Sequence, residues 1–172
     1  MSTTTINAEE AAKTLSNHKN GKYLSFFLGT EEFAIPVSSV REIIGMQEVT
    51  HVPQTPVYVR GVLNLRGRVI PVIDMRRKCG LADIEYGPHA CIVVVQVEVD
   101  SGWAPMGVVV DGVSEVVNIT STDVEDMPEF GGGESHAYLL GVAKLKGKVK
   151  ILLDIDKLLS NREILSLSTA KR

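Results

Sequence analysis

Part of this chain is written twice, and that repetition limits the fold more than any other feature of the sequence. The run Gly61-Val62-Leu63-Asn64-Leu65-Arg66-Gly67-Arg68-Val69, continuing to Asp74, aligns with Gly141-Val142-Ala143-Lys144-Leu145-Lys146-Gly147-Lys148-Val149, continuing to Asp154, at an offset of 80 positions. Gly, Val, Leu, Gly, Val and Asp coincide, and a basic-Gly-basic centre is kept as Arg-Gly-Arg and Lys-Gly-Lys. A second pair of blocks, Phe33 to Ile44 and Met106 to Val117, aligns at an offset of 73. Two blocks in one order at slightly different spacing indicate a duplicated unit of about 75 residues whose loops have drifted. A core becomes marginal well below about 60 residues, so the chain has room for one ordinary domain or for two very small ones, including two subdomains that share a core.

Within each unit, short apolar runs are separated by tight-turn signals, the pattern of a β-rich fold. Strands are predicted at Tyr23 to Leu28, Phe33 to Val37, Val57 to Leu65, Val69 to Ile73, Cys91 to Val99, Trp103 to Val110, Tyr138 to Leu145 and Val149 to Leu153. Gly67 and Gly147 supply the positive φ of a tight hairpin. About five strands per unit suffice to curl into a small closed barrel without exposed edges. The fold class is therefore mainly β: two five-stranded barrel subdomains, with repeats near residues 21–88 and 89–168 of one domain and room for strand exchange between them. Helix is sparse. Ser39-Val40-Arg41-Glu42 has capping-box spacing and Ile43 and Ile44 follow, which predicts one short helical turn. Asp154 to Leu167 has apolar residues at helical spacing and predicts a C-terminal helix. Residues 1–20 read as a flexible polar tail, and Gly131-Gly132-Gly133 as a loop.

Composition removes several function classes. At 172 residues, 44% hydrophobic and 23% charged, the chain buries enough apolar surface to order itself. A net charge of -3 gives no field that would draw it to nucleic acid. No basic segment leads into an apolar core at the N-terminus and no run approaches about 20 apolar residues, so the chain is expected in the cytoplasm. Cys79 and Cys91 read as reduced thiols, and His18, His51, His89 and His136 are too scattered for a metal site. No phosphate loop, dinucleotide fingerprint or nucleophile elbow is present, so neither cofactor nor small-molecule substrate is expected. Asp74 and Asp154, equivalent in the repeat, offer either a carboxylate pair or two helix caps, and their place after a strand favours caps.

The strings Val40-Arg41-Glu42-Ile43, Arg60-Gly61-Val62-Leu63-Asn64-Leu65-Arg66-Gly67, Val72-Ile73-Asp74, Val110-Asp111-Gly112-Val113 and Pro128-Glu129-Phe130 carry a resemblance. From Tyr23 to about Leu165 the chain resembles the CheW family of bacterial chemotaxis coupling proteins. The resemblance implies two packed SH3-like barrels and no enzymatic activity. It implies a scaffold that joins chemoreceptor cytoplasmic tips to the regulatory domain of the histidine kinase CheA, recruited to receptor arrays at the inner face of the membrane. A groove between the barrels would take the receptor's helical hairpin. Residue by residue, Val40, Glu42 and Arg66 match positions at the receptor face, where the Glu and the Arg would form a salt bridge. Val49, Val59, Arg60 and Gly61 match one kinase contact, and Phe130 the other. Glu125 and Asp126 depart from the pattern, which alters the charge beside Phe130. No receiver domain follows Arg172, so a coupling protein of the fused-receiver type is not expected.

Overall fold

The computed structural model describes residues 21–99, 102–125 and 138–159. The first half runs β1 (Gly21–Leu28), β2 (Glu31–Pro36), a 3-10 turn (Val37–Ser39), β3 (Val40–Gly45), β4 (Val59–Leu65), β5 (Arg68–Asp74) and α1 (Met75–Lys78). The second half repeats the succession of strands, with its 3-10 turn after the third strand and a short extra strand following it. It has β6 (Cys91–Val99), β7 (Gly102–Val110), β8 (Gly112–Ile119), a 3-10 turn (Ser121–Asp123), β9 (Val124–Glu125), β10 (Leu139–Leu145), β11 (Lys148–Leu153) and α2 (Ile155–Leu158).

Neither half keeps its strands together. One sheet runs β8-β1-β2-β11-β10-β9 and the other β3-β6-β7-β5-β4. Each sheet therefore joins the first hairpin of one half to the last hairpin of the other. The joints are two equivalent parallel pairs, β2 with β11 and β5 with β7. Their placement explains the burial. The run Ile92-Val93-Val94-Val95 on β6 is apolar throughout because both its faces are covered. Val93 and Val95 join Phe26, Phe33, Met106 and Leu153 in the large core shared by the two sheets, while Ile92 and Val94 pack with Leu63, Ile70 and Val72 inside their own. Tyr23, Ala34, Ile119 and Leu152 form the counterpart inside the other sheet.

All eight predicted strands are present within two residues of their expected ends. The helical turn expected at Ser39 to Glu42 is not: the turn lies earlier, at Val37–Ser39, and Val40–Gly45 is the strand β3, paired antiparallel to β6. β-branched Val40, Ile43 and Ile44 favour extended backbone, and the open edge of β6 supplies the hydrogen bonds that settle the choice. Strands β8 and β9 were not expected as such, although β8 carries the repeat of the β3 segment. The C-terminal helix is described only through α2; its expected continuation, the tail 1–20 and the loop 131–136 lie outside the described residues.

The two repeated aspartates are helix caps. Asp74 and Asp154 each accept a hydrogen bond from the backbone N–H three residues on, Arg77 and Lys157, at 3.2 Å. Asp74 is 2% exposed and also receives Tyr86 Oη–H at 3.0 Å and Arg60 Nη1–H at 3.3 Å. Burial, then the charge and hydrogen bond of Asp74, push the Tyr86 phenol up, so it stays a donor. In the Val-Asp-Gly-Val string, Asp111 ties the β1–β2 turn to α1, receiving Gly29 N–H at 2.6 Å and Arg76 Nη1–H at 2.7 Å. Both cysteines are free thiols; burial pushes Cys79 up to about 11, which keeps it protonated and unreactive. Among the described residues no helix is long and apolar enough to cross a membrane.

Candidate partner-binding faces

Arg66 stands at the tip of the β4–β5 hairpin in the left-handed conformation, φ 53°, followed by Gly67 at φ 88°. Two consecutive positive φ values are what a two-residue hairpin turn requires. Asn64 holds the turn by accepting Gly67 N–H at 2.8 Å through its side-chain oxygen. The turn aims Arg66 at β3, where Nη2 donates to Glu42 Oε1 at 2.7 Å and also reaches Oε2. Glu42 is placed by a β-bulge: the register with β6 slips between Val40 and Glu42, leaving Arg41 as the extra residue. Bulges re-aim side chains, and this one turns the carboxylate toward the hairpin tip. Beneath the pair lies a cavity of about 200 Å3 lined by Arg41, Arg68, Ile70, Val94 and Pro105 besides the pair itself and Leu65. Val40, half-buried at the start of β3, packs against the shared core.

A larger groove, about 750 Å3, opens where the two sheets meet. It is lined by Pro36 and Ser39, the residues leading into Val40, and by Leu140, Ile155 and Asp156. Trp103 stands over it, 60% exposed at the β6–β7 hairpin. Sequence reasoning missed Trp103 as a surface anchor; the available signal was the chain's single Trp placed directly after the polar residues Asp100-Ser101-Gly102. A large exposed aromatic at a groove is a common anchor for a protein partner.

A third cluster lies at the start of β4. Gly61 has φ 143°, and a Cβ there would sit 2.0 Å from the Thr50 carbonyl oxygen. That proximity exists because Thr50 covers the edge of β4, exchanging backbone hydrogen bonds with Val62 at 2.9 and 2.8 Å. Val59 is 2% exposed and in the shared core, and Val49 packs against the interior of the β3–β7 sheet. Arg60 is the member of this group that offers charge: half-exposed, bonded to Asp74 and 5.6 Å from the centroid of Tyr86. Val59 and Gly61 thus shape the surface from beneath. Phe130 lies outside the described residues.

With this geometry in hand, comparison decides the family. The family model of the CheW-like domain matches residues 22–163. The chain belongs to the CheW family. It is 38% identical over 143 residues to the chemotaxis protein CheW of Klebsiella aerogenes, an alignment that covers 83% of this chain and 84% of that protein. Against the chemotaxis protein CheW of Rhizobium meliloti it is 31% identical over 153 residues, with 89% and 96% covered. The crystal structure of the scaffolding protein TtCheW from Thermoanaerobacter tengcongensis matches with a TM-score of 0.72 at 27% identity, covering 84% of this chain and 95% of that one. For a CheW-family fold, the Glu42–Arg66 pair, the inter-sheet groove and the Thr50–Gly61 edge are three distinct surfaces of one rigid β framework.

Proposed function

We propose that this chain is a non-catalytic coupling protein that joins chemoreceptor cytoplasmic tips to the histidine kinase CheA. The observation that carries this reading is the preformed Glu42–Arg66 pair beside half-buried Val40. An ion pair this exposed adds only about 0–1 kcal/mol to stability, so its use is to hold two charges in a fixed shape that a partner can meet. Val40 and the neighbouring inter-sheet groove supply the apolar part, and together they suit a helix laid in a groove. The receptor contact is assigned to Val40, Glu42 and Arg66. The kinase contacts are assigned to the Arg60 surface, shaped by Val49, Val59 and Gly61, and to Phe130. Such faces are moderate in size and weak singly; repetition in an array multiplies them. The chain acts in the cytoplasm and reaches the inner membrane face only through the receptors it binds.

Val40→Lys tests the assignment, because a lysine at this half-buried edge can extend its charge to solvent while obstructing a helix. Binding to a receptor signalling fragment is expected to fall at least about tenfold while binding to CheA is kept. Equal loss of both, in a variant that unfolds at the parent's denaturant midpoint, would contradict the site.

A further inference from the structure

The duplication that builds the two sheets also copies the Glu42–Arg66 face onto the other half of the molecule. At the β10–β11 turn, Lys146 (φ 52°) and Gly147 (φ 79°) repeat the backbone of Arg66 and Gly67. Residues 61–70 and 141–150 show the same succession of buried, half-buried and exposed positions. The sequence offsets carry Glu42 to Glu115, Ile43 to Val116 and Val69 to Val149. Exposed apolar residues recur at the equivalent positions, Ile43 46% and Val69 54%, Val116 56% and Val149 53%; of these Val116 lines the second cavity, while Val69 and Val149 alternate with the basic residues and stand on the other side of their strands. A cavity of about 400 Å3 opens on the second face, twice the size of the first, lined chiefly by Glu115, Val116, Leu145, Lys146, Lys148 and Lys150. Each lining sets three basic groups against one acid: Arg41, Arg66 and Arg68 with Glu42, and the three lysines with Glu115.

The copies differ underneath. Where the first has Ile70, 1% exposed, the second buries Lys150 at 2%. A buried ammonium is costly unless paired, and Lys150 Nζ bonds Glu32 and lies 3.5 Å from Glu115 Oε2. Glu115 is thereby held from below and not from the hairpin tip. Lys146, the counterpart of Arg66, and Lys148 then make no ion pair among the described residues. Two ammonium groups without an ion pair among the described residues, beside Val116 and Leu145, call for carboxylates next to aliphatic groups. The lining has no aromatic on which a nucleic-acid base would stack.

We propose that this face is a second docking site, taking an acidic helix of a partner protein that turns an aliphatic stripe toward Val116 and Leu145. The inference rests on the reading of the Glu42–Arg66 face as a docking face and extends it to the copy. Its test is an amide chemical-shift titration of the isotope-labelled full chain. The probe is a synthetic helical peptide with leucines at i, i+3, i+4 and i+7 flanked by glutamates; the control carries lysines in place of the glutamates. Saturable shifts at Glu115 to Asn118 and Lys146 to Val149 are expected with the acidic peptide alone. Lys146→Glu combined with Lys148→Glu, both at exposed positions, is expected to weaken that binding at least about tenfold. Unshifted amides at this face, undiminished binding by the charge-reversed variant, or displacement of the peptide by a single-stranded oligonucleotide would overturn the proposal. Shifts at Arg41, Glu42 and Arg66 are read in the same spectra, so binding at one face without the other separates the failure of this inference from the failure of the first.

Discussion

Glu32 and Lys150 show how a single residue sets the terms for a whole face. Burial alone would push the Glu32 carboxyl up, but the hydrogen bond and charge of Lys150, with smaller help from Ser114 and Lys148, hold it below its ordinary 4.5. A carboxyl that holds its proton less tightly when folded stabilises fully above its unfolded pKa and loses that contribution as pH falls through the folded one. Denaturant unfolding measured from about pH 6 down to 3 should therefore show a drop that Glu32→Gln flattens, with that variant roughly 3 kcal/mol less stable at neutral pH because buried Lys150 is left with only its longer ion pair to Glu115. A variant that kept the parent's acid profile would remove Glu32 from this role. Gly61 is the second residue whose identity the backbone dictates. Gly61→Ala places a Cβ on the Thr50 carbonyl at a φ hostile to side chains, and should cost roughly 2–4 kcal/mol in denaturant melts. Gly67→Asn, at a turn with nothing within 4 Å of the added carbon, should stay within about 1 kcal/mol of the parent. Similar losses at both positions would mean that the Thr50 edge is not what constrains Gly61.

At the scale of elements, the sequence was legible where the pattern is local. Alternating apolar runs between glycine-centred turns identified eight strands, and the acid after each final strand identified the caps of α1 and α2. The β3 segment was misread for a physical reason: Ser39-Val40-Arg41-Glu42 satisfies a helix-start spacing, and only the distant edge of β6 makes the extended form the better bonded one. The left-handed angle of Arg66 was hidden for a similar reason, since Gly67 beside it already accounted for a turn. The meeting of Glu42 and Arg66 depends on a bulge and a turn from strands 24 residues apart, so it was readable from family resemblance and not from spacing. Strand exchange makes each element depend on the other half. A fragment of residues 1–88 leaves β1 without β8, β2 without β11, β3 without β6 and β5 without β7. Alone it should give no cooperative thermal transition by circular dichroism, and mixing with residues 89–172 should restore one. Independent cooperative unfolding of the first fragment would show that the exchanged pairs are dispensable.

The whole molecule is a rigid β framework whose duplicated halves lock through a shared core, leaving the turns and edges as its working surfaces. The aspartates weighed as a carboxylate pair are occupied by capping and structural hydrogen bonds. What remains outward is charge held in fixed geometry beside exposed aliphatic and aromatic groups, at separate places on one body. Separation is what a coupling role requires, because two partners must be held at once. The measurement that tests this most directly is co-sedimentation of the full chain with a chemoreceptor signalling fragment and CheA, reading complex composition and kinase activity together. The account predicts a ternary complex in which the receptor fragment changes kinase activity only when this chain is present. A folded chain that sediments with neither partner, or with one only in competition with the other, would contradict it.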